Sequence, residues 1–402
     1  MIHHGSLQLP AAIERQFPAS LRLALIALRR QLHRHPELSG HEDQTATRLT
    51  DALSPLAPAE LRRVAATGVV ARIRGRDSHA PTVAIRGDID ALPIQEDTGL
   101  EFASENPGVM HACGHDVHAS WAVGAAHLLA ESPAHGDVLI VLQPSEETGQ
   151  GARAVLATGA LDGVKAIFGA HVDRRFPIGQ VVAQTGPLAA SADNFIIELE
   201  GSGAHAARPH ESADPIVGLG ALISALQTIV SRRVNPAHAA VVTIGTVQAG
   251  TAPNIIPGRA TISGTLRATD SDTRRLLEEE LRRIADGVAA THRLHARIML
   301  EPGTPPIVNP PDATRWARDA AVTLLGEDAV VPLGFLNLAG EDFAHYLERI
   351  PGCFLRIGAR ENGGETIPAH TPRFYAADES IFVGAAVLAE TARVASQALA
   401  RA

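Results

Sequence analysis

The stretch MHACGHDVH, residues 110–118, sets His111, Cys113, His115, Asp116 and His118 within nine residues and holds one of only two cysteines in the chain. Three imidazoles, a thiol and a carboxylate this close are costly to bury unless something binds them. Thiolate and imidazole suit zinc and its first-row neighbours. One residue separates Cys113 from His115, so a tight loop can turn both toward one ion. Further on, DVLIVLQPSEETG runs from an apolar stretch into Glu146 and Glu147, KAIFGAHV carries His171, and AHTPRF carries His370. Cys113, His115, Glu147, His171 and His370 make five candidate ligands. One tetrahedral catalytic zinc takes three protein ligands and keeps a position open. Five suit two metals with a shared bridging ligand and a water between them. Cys113 is a candidate bridge, with Asp88 or water as alternatives.

Glu146 adjoins Glu147. Beside a water at the metals it would act as general base and then pass the proton to a leaving amine. TVAIRGDID contributes Asp88 and Asp90. Each is either a ligand or an acceptor that fixes a ligand histidine's tautomer. Asp90 is read as the acceptor; Asp88 is left open. LHRHPELSGHE adds His33, His35 and His41 as further donors.

These residues need a frame. Residues 11–55 read as helix, broken at Pro36, which disfavours helix at the preceding residue. VVARIRG, TVAIRGDID, VLIVLQP and KAIFGAHV read as buried strands, alternating with helices such as WAVGAAHLLAES. That alternation implies an α/β fold with a mixed, largely parallel sheet flanked by helices. In such sheets sites gather at the carboxyl ends of strands, where Asp88, Asp90, Glu146, Glu147 and His171 all fall. From about residue 190 the order becomes β-α-β-β-α-β, with helices starting at Asp214–Pro215 and capped by Ser271. This is the ferredoxin-like unit. It reads as an insertion, 190–303, between 1–189 and 304–402, which together form the first domain. The returning part is expected to hold a helix at 312–325, a short strand near 330–333 and a final helix.

Composition narrows the function. Apolar residues make up 45% of the 402, enough for a substantial core. A formal charge of −9 argues against a nucleic-acid partner. No run approaches the about 18 apolar residues a membrane span needs, and MIHHGSLQLP lacks a basic stretch followed by an apolar one. Two cysteines are too few for a disulfide framework. The expectation is a soluble, cytoplasmic protein.

HRHPELSGHE, GDIDALP, MHACGHDVH, QPSEETGQGA, GAHV, GAHAARPHESADPI, NIIPG, GTLR, AGEDFAHY and AHTPRF follow one another in this order. The sequence resembles the N-acyl-amino-acid amidohydrolases, which include hippurate hydrolases and auxin-conjugate hydrolases. It is more distantly similar to aminoacylases and glutamate carboxypeptidases. The resemblance implies a dinuclear metal centre in a metallopeptidase-type catalytic domain; mixed Cys/His/Glu ligation admits zinc, manganese, nickel or cobalt. It also implies a ferredoxin-like lid and hydrolysis of a small N-acyl amino acid to a carboxylic acid and a free amino acid. The family's metal positions fall on Cys113, His115, Glu147, His171 and His370, and its catalytic glutamate on Glu146. His205 resembles the lid histidine that holds the scissile carbonyl oxygen, which in related proteins reaches the partner's site. Asn254 and Arg267 resemble residues near the substrate carboxylate. Pairing through the lid, as a homodimer or a dimer of dimers, follows. Arg208 departs from the Met common in the family. The rival readings are a dipeptidase or aminopeptidase on the same centre and a non-catalytic metal or small-molecule binding protein.

Overall fold

The computed structural model describes residues 9–401; residues 1–8, most of the stretch read above for a leader, and residue 402 lie outside the described residues. The chain divides into two compact units, each with its own core. The first runs to Gly186 and resumes with Asn309–Gly334 and the residues from His345 on. The second comprises Pro187–Val308 and Phe335–Ala344. Phe335–Ala344, expected in the returning part of the first domain, lies with the second unit. There Gly340 sits so close to Thr304 that a Cβ would stand 2.6 Å from its hydroxyl.

The first unit is built on a seven-stranded mixed sheet. Its order is Glu60–Val64, Gly68–Ile73, Val138–Gln143, Val83–Asp88, Ala166–Pro177, Gly352–Arg360, Val181–Val182. The four strands from Val138–Gln143 to Gly352–Arg360 run parallel to their neighbours, and the margins are antiparallel. Val83–Asp88 and Val138–Gln143 are buried at every position, as befits strands covered on both faces. The helix His115–Glu131 packs against Ala19–Arg34 and Glu379–Arg401.

Some expectations need correcting. The N-terminal helix is interrupted at Pro18 as well as Pro36, giving Ala11–Glu14, Ala19–Arg34 and Asp43–Leu53. The margin strand Glu60–Val64 was not expected, because it is half-exposed and carries no apolar pattern. The strand expected near 330–333 reduces to a single bridge, Val330 with Val181.

The second unit is a four-stranded antiparallel sheet in the order Ala240–Ala249, Arg259–Ala268, Ala192–Glu200, His295–Thr304, with helices Pro215–Thr228 and Ser271–Thr291. Order and connections are those of the ferredoxin-like fold. Asp214 caps the first helix by accepting the Ile216 and Val217 N–H groups. The second is capped by Asp270, not Ser271: its carboxylate accepts the Thr273 N–H at 2.8 Å. The run Pro215–Arg233 is, by length and composition, apolar enough to cross a membrane, against the expectation of none. Leu219, Leu222, Leu226 and Ile229 recur at helical spacing and are buried in this unit's core, the stripe of a helix lying on a sheet.

Gly384 lies against Trp121, where a Cβ would stand 2.3 Å from the indole ring. Gly384→Ala should therefore force apart the helices Glu379–Arg401 and His115–Glu131 and destabilise the first unit by about 1–3 kcal/mol. Thermal unfolding checks this; an unchanged Tm would mean the contact yields freely.

Candidate metal centre

Gly114 precedes the helix that begins at His115 and adopts φ +88°, with Val172 Cγ2 2.5 Å from where a Cβ would be. Only glycine allows both the left-handed turn and the contact. The turn sets Cys113 beside the end of the neighbouring strand, with Sγ 3.1 Å from His171 Nε2. His370 approaches from the other side, Nε2 at 3.3 Å from Sγ and 3.5 Å from Glu147 Oε2. His115 Nε2 lies 3.8 Å from Glu147 Oε1 and 3.9 Å from Glu146 Oε2. His115 groups with Glu146 and Glu147 and with Asp88 and His118, and two further donor sets, Cys113–His115–His171 and Cys113–Glu147–His370, are each compact enough to hold one ion. They share Cys113.

The donors are prepared for cations. His115 Nδ1 faces the Asp90 carbonyl at 2.9 Å and Oδ1 at 3.2 Å. Both partners are acceptors, so Nδ1 carries the proton and Nε2 presents its lone pair to the centre. His171 Nδ1 donates to the Val172 carbonyl at 2.7 Å, leaving Nε2 toward Cys113. His115 Nε2 and Glu147 Oε1 are buried without hydrogen-bond partners. Thiol, imidazoles and carboxylate without other partners fit divalent ions.

Asp90 also accepts the Glu147 N–H at 3.0 Å and the Ser39 hydroxyl at 2.7 Å. Asp88 is held by Arg86 and by His118 Nδ1. The Val172 N–H donates to His118 Nε2 at 3.0 Å. Both nitrogens of His118 are thus occupied, and its ring stacks on Trp121. It orders the strand end that bears His171. Asp116 is bound by Arg29 at 2.7 Å and His33 at 2.8 Å. His111 is buried and makes no hydrogen bond; burial pushes it down to about 4, so it is neutral. His33, His35 and His41 stand in neither donor set. Arg86 and Arg29 were missed in the sequence, though an arginine inside the apolar run TVAIRGDID was a signal.

Electrostatics point the same way. Burial, reinforced by Glu147, pushes the Cys113 thiol well above its usual value. Burial opposes a charge on His115, but Asp88 and Asp90 overcome it and raise that imidazole well above the ordinary range. Two turns beside the centre are also strained. Ser145, before Glu146, has φ +57°, and His370 has φ +63°. Left-handed non-glycine residues cost about 1–3 kcal/mol each. The His370 N–H is tied to the Ala112 carbonyl at 2.8 Å.

The remaining predicted residues lie in the second unit. The short ladder of Ala204–His205 with Ile255–Ile256 brings His205 to Asn254, whose carbonyl accepts the Ala206 N–H at 3.1 Å. Both are exposed. Arg267 is half-buried on the strand Arg259–Ala268, opposite Val241.

Residues 84–394 match the family described as Peptidase family M20/M25/M40. The chain belongs to this family. An N-acetyl-L-cysteine deacetylase of Bacillus subtilis (strain 168) is 42% identical to this M20 chain over 88% of it and 84% of the relative. The IAA-amino acid hydrolase ILR1-like 2 of Arabidopsis thaliana is 36% identical over 92% and 84% respectively. Among solved structures, a Bacillus subtilis dinuclear metal binding peptidase from the M20 family matches with a TM-score of 0.84 and 38% identity, covering 94% of this chain and 99% of that one. The M20 chain is a hydrolase of amide C–N bonds, and its donors suit divalent metal ions.

A divalent ion binds thiolate and neutral imidazole, so its uptake at Cys113 and His115 should release protons, and apparent affinity should rise with pH. Competition with a chelator at several pH values measures this. An affinity independent of pH, or a Cys113→Ser variant that binds as many ions as the parent, would remove the thiolate from the centre.

Proposed function

We propose that the chain cleaves N-acyl amino acids to a carboxylic acid and a free amino acid, at a centre of two divalent ions. Zinc, manganese, nickel and cobalt all suit its ligands. The observation that carries this reading is the pair of donor sets sharing Cys113, with Glu146 beside them. The relatives named above, a deacetylase and an amino acid conjugate hydrolase, support the substrate class.

Bound divalent ions would polarise the amide carbonyl and acidify water. Glu146 accepts the proton of the attacking water and returns it to the leaving nitrogen. His205 Nδ1 accepts the Ala207 N–H at 3.1 Å, so the neutral ring carries its proton on Nε2. That N–H donates to the carbonyl oxygen as it gains negative charge. Asn254 and Arg267 hold the α-carboxylate of the amino acid. Asp90 keeps His115 in its ligating tautomer, and Asp88 orders His118.

A homodimer through the second unit belongs to the same reading, with His205 serving the partner's centre. Ala240–Ala249 is an edge strand that exposes Val247, and the adjacent helix exposes Ile216 and Val217. An open edge favours pairing about a two-fold axis. Light scattering coupled to gel filtration should give twice the chain mass; a monomer with full activity would end this part of the proposal. We also place the protein in the cytoplasm, since Cys113 and Cys353 are both unpaired, as in a reducing compartment. Cell fractionation tests the placement.

The deciding experiment measures amine release from N-acetyl, N-benzoyl and longer-chain N-acyl amino acids, each against its α-carboxamide. Free acids should be cleaved and carboxamides spared. Glu146→Gln should keep its metal and lose about 10²–10⁴-fold in kcat. Preference for unblocked dipeptides, or a Glu146→Gln variant with over half the parent rate, would overturn the assignment.

A further inference from the structure

Glu42 stands immediately before the helix Asp43–Leu53, in the N-cap position, yet its side chain does not cap that helix. Glu37 does so instead, accepting the N–H groups of Gln44 at 3.2 Å and Thr45 at 2.7 Å. The Glu42 carboxylate turns inward and is 0% exposed. Oε1 accepts the Ser145 N–H at 2.9 Å and the Ser145 hydroxyl at 3.3 Å. Oε2 accepts the Thr67 hydroxyl at 2.5 Å. A carboxylate is buried this completely only where donors meet it, and two of these three belong to Ser145.

Ser145 adopts φ +57° and ψ +37°, directly before Glu146 and Glu147. An L-residue rarely holds that conformation unaided. The residues that follow are the proposed base and a proposed metal ligand. Whatever fixes the Ser145 backbone therefore fixes the direction in which both glutamates leave the strand Val138–Gln143. From these contacts we infer that Glu42 is a positioning residue. It clamps Ser145 in the left-handed conformation and so aims Glu146 and Glu147 at the centre, without touching a reacting atom. This rests on the roles proposed above for Glu146 and Glu147.

The clamp and the strain are two sides of one device, so they can be separated. Glycine adopts the left-handed conformation without penalty. In Ser145→Gly the turn needs the clamp less. The test uses the full-length, metal-loaded protein and compares Glu42→Ala, Glu42→Asp, Ser145→Gly and the double variants. The readouts are kcat, KM, metal content and Tm. Glu42→Ala should lower kcat about 10–100-fold, the scale of a 1 Å misplacement of a reacting group, while KM moves little. The same substitution in the Ser145→Gly background should cost several-fold less in kcat. Glu42→Asp keeps the charge but falls a methylene short of Ser145; it should show the same rescue at smaller amplitude, and it carries the test if Glu42→Ala does not fold.

A purely structural Glu42 would lower Tm equally in both backgrounds and leave kcat per metal-loaded site unchanged. That result, or an equal kcat loss with and without Ser145→Gly, overturns the inference. Glu146→Gln in the same assay separates it from the functional reading. An active Glu146→Gln removes the reading beneath both. An inactive one beside an unaltered Glu42→Ala overturns only the role of Glu42.

Discussion

One buried carboxylate, Asp90, joins the two sides of the centre. Its Oδ1 and backbone carbonyl hold the His115 ring, and its Oδ2 takes the Glu147 N–H. His115 starts a helix, while Glu147 follows the strand Val138–Gln143. If Asp90 rotated away, His115 would lose its tautomer and the Glu146–Glu147 turn would lose a support. A buried anion in this place is tolerated because each oxygen has a donor. The spacing of the donor sets depends on it.

Around that point the molecule is tight and polar at once. Gly114 admits a Val172 contact that no Cβ would allow, and the adjacent Val172 N–H is bound by His118. Arg86, Asp88 and His118 form a fully buried chain leading to the strand end that bears His171. Arg29 and His33 do the same for Asp116, next to His115. His115, Glu147 and the strand end bearing His171 thus have supports drawn from other elements, which hold these donors in place. What these supports leave undone is the neutralisation of the centre itself. Burial and Glu147 push the Cys113 thiol up, while Asp88 and Asp90 raise the His115 imidazole against burial.

The second unit follows a different logic. Its core is a single apolar layer between two helices and a sheet, with His205 and Asn254 exposed and Arg267 half-buried on its strand. His205 is oriented by the neighbouring Ala207 N–H rather than by burial.

Much of this was legible in the residues alone. Parallel strands end on one side of their sheet, so carboxylates and histidines at the ends of apolar runs announced a common location for Asp88, Asp90, Glu146, Glu147 and His171. The β-α-β-β-α-β order likewise announced the ferredoxin-like unit, because alternation and helical spacing are local properties of the chain. Local patterns could not say which histidines of MHACGHDVH were available. His115 and His118 differ only in what meets their nitrogens, and those partners, Asp90, Asp88 and Val172, come from other strands. Nor could they show that Asp270 and not Ser271 caps its helix, a matter of one backbone torsion, or that ELRRV forms a margin strand without an apolar face. The grip of Glu42 on Ser145 spans 103 residues. Sequence determined which chemical groups were present and near which strand ends. Tertiary structure alone decided their hydrogen-bond partners, and with them which donors remain open to a metal, because those partners are brought together only when the sheet is assembled.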